Sequence, residues 1–162
     1  MSTADNESRI NQFPVGFVLG TTYRKVAGLF QQRLAPYGIT PEQWSALNQI
    51  DRAQGLIQKE IAERTSKDKP SMTRILDHLE KKGLIYKKPG EHDRRAFLVY
   101  STEAGKALIR ETTPIEETVT ADVRSCLSDQ EYETLLGLLM RVQNHMTANF
   151  SGSACGQSQS HE

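Results

Sequence analysis

The 162-residue sequence predicts a mainly helical domain carrying one small β-hairpin. Three observations lead there. Apolar residues recur at three- and four-residue steps along most of the chain, the spacing of a helix's buried stripe. That period gives way once, in residues 84–88 and 96–100, which are rich in β-branched and aromatic side chains. Thr40, Asp68, Thr102 and Ser128 each stand where a helix N-cap belongs, and Gly55 and Gly83 stand where helices close. With 37% hydrophobic residues the chain has enough apolar material for a core.

The elements follow in order. Residues 1–9 and 149–162 are too polar to pack and are predicted to be disordered, leaving a domain over 10–148. The first helix covers 10–37, with Leu19, Tyr23, Val26, Phe30, Leu34 and Tyr37 on one stripe, and Pro36 and Gly38 end it. Thr40, Pro41 and Gln43 announce the second helix as N-cap, first-turn proline and capping-box partner, with Ile39 and Trp44 at the staple positions. A short third helix over 58–65 buries Ile61 and Ala62. Asp68 caps a fourth, in which Met72, Ile75, Leu76 and Leu79 give a sharp amphipathic signature. The hairpin is the one sheet candidate, and residues 89–95 form its basic, turn-rich tip. Thr102 caps a fifth helix reaching about Leu127, where Pro114 is expected to kink or break it at a cost of about 3 kcal/mol. Ser128 and Glu131 form a capping box for the sixth.

Charge narrows the function. The net charge is zero, yet residues 1–55, 56–100 and 101–162 carry +1, +4 and −5. A basic middle between neutral and acidic ends permits a nucleic-acid face there. Three helices followed at once by a basic hairpin spell a winged helix-turn-helix. Its fourth helix turns Ser71, Arg74, His78 and Lys81 away from the apolar face, and such a row fits a major groove. Lys69 and the first-turn N–H groups around Pro70 are candidates to hold a phosphate, with Thr73 beside them. Arg94 and Arg95 at the hairpin tip suit a minor groove or a phosphate, and Asp93 is placed to steady one of them.

These stretches resemble the MarR family of bacterial transcriptional regulators. The resemblance rests on Ile39-Thr40-Pro41-Glu42-Gln43-Trp44, Gln58 to Arg64, Pro70 to Ile85, Asp93-Arg94-Arg95 and Ser101-Thr102-Glu103-Ala104-Gly105. It implies a winged helix-turn-helix module at 39–101 between dimerisation helices at 10–37 and 102–148. It also implies a homodimer of triangular outline on a palindromic operator, with half-sites about 34 Å apart. Arg74 then aligns with the base-reading arginine, Arg95 with the wing arginine of the minor groove, Asp93 with the residue that orients the tip, and Arg94 with a structural or phosphate-binding partner. Many members repress and release DNA when a small aromatic or anionic ligand binds between the dimerisation helices and the winged module. Phe17, Arg24 and Trp44 are the candidates here, with core packing the alternative for Phe17 and Trp44 and an ion-paired or solvated side chain for Arg24.

Other functions find less support. The redox branch of the family needs a reactive cysteine in the first helix, and none is there. Cys126 reads as a small buried apolar residue, with a redox response as its alternative. The four histidines have no metal-ligand spacing, and Gly105-Lys106 lacks a preceding glycine-rich loop. No Gly-x-Ser-x-Gly occurs. No enzyme, metal or cofactor is therefore expected. A winged module that binds a protein partner instead of DNA is the remaining rival. No apolar run approaches a membrane span, and the first seven residues have no export-signal pattern, so the expected location is cytoplasmic.

Overall fold

In the computed structural model, which describes residues 13–53, 55–90 and 97–150, the first helix, α1 (Val15–Leu34), starts directly after Pro14. Pro14 is extended, with ψ 137°, and its carbonyl accepts from the Phe17 and Val18 N–H groups. The helix therefore does not run through it, as a start at residue 10 requires. At the other end α1 stops at Leu34, three residues short of expectation, and tightens into a 3-10 turn (Ala35–Tyr37). Gly38 closes that turn in the left-handed region, φ 63°, where a side chain is disfavoured.

Helix α2 (Pro41–Asp51) begins as its capping sequence requires. The Gln43 N–H donates to the Thr40 hydroxyl at 3.2 Å, and the Thr40 N–H donates to Gln43 Oε1 at 3.3 Å. Trp44, Ala46, Leu47 and Ile50 are its buried face. After Gly55 comes a strand the periodicity did not reveal, β1 (Leu56–Ile57), then α3 (Gln58–Arg64) and α4 (Lys69–Lys81). Strands β2 (Ile85–Pro89) and β3 (Phe97–Ser101) complete a three-stranded antiparallel sheet in the order β1-β3-β2. Gly55 is doubly constrained. Its φ is +95°, and a Cβ there would lie 2.7 Å from the Tyr100 ring.

Helix α5 (Glu103–Arg124) is continuous, so of the kink or break expected at Pro114 the break does not occur. Proline deletes one N–H from the turn. In that turn the Thr112 and Thr113 hydroxyls donate to the Leu108 and Ile109 carbonyls at 2.6 and 2.7 Å. Ile109, Leu108 and Ile115 also pack on the core, which holds the helix in register across the proline. The core itself joins Leu34, Ile39, Leu47, Ile50, Ile61, Met72, Leu76, Leu79, Ile85 and Val99. One buried polar link crosses it: Trp44 Nε1 donates to Thr112 Oγ1 at 2.8 Å, while Phe30 meets the Trp44 ring edge-on at 5.2 Å.

The described chain forms two compact units by contact, divided after Val119. The second holds the end of α5 and α6 (Asp129–Phe150). Helix α5 stops at Arg124, short of Leu127, and Arg124 bonds Asp129 at 2.6 Å while lying over the Tyr132 ring. The Ser128–Glu131 capping box forms, its carboxylate accepting from the Ser128 N–H at 2.7 Å. Cys126 is exposed and donates to the Val123 carbonyl, so the expectation of a buried small residue fails. It lies in the turn after α5. Along α6 the leucines 135, 136, 138 and 139, with Met140, Val142 and Met146, are all exposed in the single chain.

Candidate nucleic-acid interface

The geometry of α4 begins at its cap. Asp68 Oδ1 accepts from the Ser71 N–H at 2.8 Å, and Asp68 Oδ2 accepts from the Ser71 hydroxyl at 2.8 Å. The first turn is therefore closed by a carboxylate, where the sequence suggested open N–H groups for a phosphate. Lys69, Pro70 and Thr73 are exposed along it. The Ser71 N–H, more than any other contact, holds the Asp68 carboxyl below its ordinary value of 3.8. A carboxylate depressed in the folded state stabilises it fully above the unfolded value, and that contribution is lost as pH falls through the lower folded one. In acid titrations followed by unfolding midpoint, Asp68→Asn is expected to flatten part of the stability loss below about pH 4. Identical acid limbs for the two proteins would refute this role.

Gln58 of α3, which the sequence did not single out, fastens the same turn from outside. Its Nε2 donates to Thr73 Oγ1 at 2.7 Å and lies 3.4 Å from the Lys69 carbonyl. Thr73 in turn donates to that carbonyl at 3.0 Å. Contacts between crossing helices leave no local pattern, so periodicity could not have found them.

Beyond the cap, Arg74, His78 and Lys81 are exposed at successive turns, as the helical spacing requires. Ser71, Arg74, Ile75 and His78 form one wall of an open groove of about 330 Å3. Thr40, Glu42 and Gln43 of α2 and Lys67 before α4 form the other. The two acids on α4 are engaged elsewhere. Lys87 of β2 bonds Glu80 at 2.8 Å and Asp77 at 3.3 Å, and its hydrogen bond to Glu80 is the main reason its own pKa rises. Strand alternation places Lys87 on the face of buried Ile85, toward the helix, and that was a readable signal. Lys82, at the end of α4, donates to the Gly38 carbonyl and, at 3.2 Å, to Gln43 Oε1. This ties α4 to the cap of α2.

On the opposite face of the hairpin Tyr86 and Tyr100 stack at 5.4 Å, with the Lys88 amine over both rings. Asp93, Arg94 and Arg95 lie outside the described residues. The three candidate ligand residues are placed differently from one another. Trp44 is core, 9% exposed, with its indole N–H satisfied by Thr112. Phe17 is exposed and stacks on Phe13 at 5.6 Å. Arg24, two turns on, is exposed and reaches back over Gly20, its guanidinium 3.5 Å from where a Cβ would stand. Phe17 and Arg24 thus share a face of α1.

The sequence pattern of the MarR family matches residues 37–96, from the turn before α2 into the hairpin tip. Three solved structures show how far the likeness extends. MepR of S. aureus, in complex with DNA, is 25% identical with a TM-score of 0.76, over 83% of this chain and 99% of that one. A mutant MarR from E. coli complexed with operator DNA is 28% identical with a TM-score of 0.75, over 80% and 94%. A probable transcriptional regulator from Pseudomonas aeruginosa is 30% identical with a TM-score of 0.75, over 79% of this chain and 96% of that chain. A shared fold alone leaves function open, but identity at this level along nearly the full length of solved regulators, with a family pattern that spans the helix carrying the exposed basic row, does not. The chain belongs to the MarR family of winged helix-turn-helix, DNA-binding transcriptional regulators.

Proposed function

We propose that this regulator is a cytoplasmic repressor that grips a palindromic operator as a homodimer and releases it when a small aromatic or anionic ligand binds. The observation that carries the DNA half is the row Arg74, His78 and Lys81, exposed at successive turns of α4 while Lys87 holds Asp77 and Glu80. Cationic and adaptable side chains then face outward while both carboxylates of α4 are ion-paired to one lysine, which favours approach to a polyanion. Relatives solved on DNA, MepR and E. coli MarR, support the same reading. Arg94 and Arg95, steadied by Asp93, are the wing contacts in this proposal, and Lys69, Pro70, Ser71 and Thr73 flank the backbone.

Dimerisation is supported by apolar surface that a single chain leaves in water. Val15, Phe17, Val18, Leu19 and Tyr23 on α1 are exposed, and so are the leucine and methionine side chains of α6. Exposed apolar side chains in such number on each helix mark an interaction site, and a second copy supplies matching surface by symmetry. The ligand half rests on Phe17 and Arg24, an aromatic ring and a cation on one face of α1, the pairing an aromatic anion needs.

The test is selection of genomic fragments by the purified protein, with its mass in solution measured alongside. An enriched palindrome bound by a dimer, with affinity falling steeply as salt rises, is the expected result. A well-folded dimer that enriches nothing at low salt defeats direct recognition by the unliganded protein.

A further inference from the structure

The hydrogen-bonding sense of His78 is set by its own helix. Its Nδ1 lies 2.6 Å from the Arg74 carbonyl oxygen, one turn earlier. A carbonyl can only accept, so Nδ1 carries the proton. In a neutral imidazole the other nitrogen, Nε2, then holds a lone pair and no proton. The bond also ties the ring to the helix backbone, so the orientation is prepared before any partner arrives. The ring itself is exposed, on the wall of the groove beside Arg74.

Among base edges in the major groove, adenine N6 and cytosine N4 donate, whereas guanine O6 and N7 and thymine O4 accept. A fixed acceptor discriminates between these sets, because it bonds an amino group and repels a carbonyl. Resting on the reading that α4 enters the major groove, we propose that His78 is a specificity-determining residue that accepts from a base amino group through Nε2. It selects adenine or cytosine against guanine and thymine at its position. Arg74 has donors and no acceptor. Adjacent turns of one helix thus read opposite senses, guanine at one and an amino group at the other.

The experiment uses the full chain and its selected operator, with all four bases placed in turn at every half-site position. It is run at one pH and at one salt concentration. Wild type is expected to prefer adenine or cytosine about tenfold at one position. His78→Arg moves that preference to guanine, and His78→Ala abolishes it there while leaving the other positions unchanged. A structural role for the ring predicts no such inversion. If wild type binds the operator and neither variant alters the preference at any position, the inference is overturned while DNA recognition stands. A wild-type preference for guanine at the position His78 controls overturns it equally. A folded protein that selects no operator sinks both readings together.

Discussion

Replacing Gly105 by alanine is expected to destabilise the fold by about 3 kcal/mol, even though the residue sits inside a helix. Helix propensity alone predicts the opposite sign, since alanine is favoured over glycine by about 1 kcal/mol in a helix interior. The contact decides it. A Cβ on Gly105 would lie 2.2 Å from the Leu84 carbonyl oxygen and 3.3 Å from Leu47 Cδ1. The obstacle is backbone held at both ends: the Leu84 N–H donates to Leu79 at 3.0 Å, and its carbonyl accepts from Thr102 at 3.0 Å. Thr102 in turn caps α5 through the Gly105 N–H at 3.1 Å and donates to the Gly83 carbonyl at 2.7 Å. Relief of the clash therefore shifts the end of α4, the start of β2 and the cap of α5 together. For a chain of this size the thermal midpoint is expected to fall by about 10 °C, read by circular dichroism. A midpoint within about 2 °C of wild type would show that the close approach is easily relaxed.

Arg74→Ala is expected to leave the melt unchanged and to cost about 1–3 kcal/mol in operator affinity, a factor of roughly five to 150. The side chain is exposed and packs on nothing in the core, so the loss falls on binding alone. What marks base reading is its unevenness. Discrimination at one base pair should collapse while affinity for unrelated DNA changes less. Lys69→Ala is the contrast, since a phosphate contact weakens all sequences alike and lowers the salt slope by about one. Competition titrations with operator and unrelated duplexes, at several salt concentrations, separate the two. Uniform loss for Arg74→Ala would make it a backbone contact and move base reading elsewhere on α4.

The parts of this fold that sequence reasoning reached are those written in short-range chemistry. The Thr40–Gln43 box, the Asp68 cap, the period of α4 and the hairpin are local patterns, and each appears in place. What escaped depends on tertiary neighbours. Leu56–Ile57 is too short to show alternation, and becomes a strand because Val99 and Leu98 stand opposite it. Pro114 is tolerated where Leu108, Ile109 and Ile115 pack the helix on the core on both sides of it. The stripe of α1 was legible as one face, yet in the single chain Leu34 is enclosed while Leu19 and Tyr23 are exposed. Periodicity names a face without naming what covers it. Of the candidate interface, the exposed row of α4 was legible and strand alternation pointed Lys87 toward it, whereas Gln58, which also braces that helix, acts from a crossing helix.

The Trp44–Thr112 hydrogen bond has an optical consequence. Trp44 is the only tryptophan in the sequence, so all of the chain's tryptophan fluorescence comes from one indole, placed where the winged module meets α5. Its emission colour reports the polarity around that ring, and its intensity reports the neighbours that quench it. The protein thus carries an intrinsic gauge of whether that seam stays dry, readable in real time with no attached label.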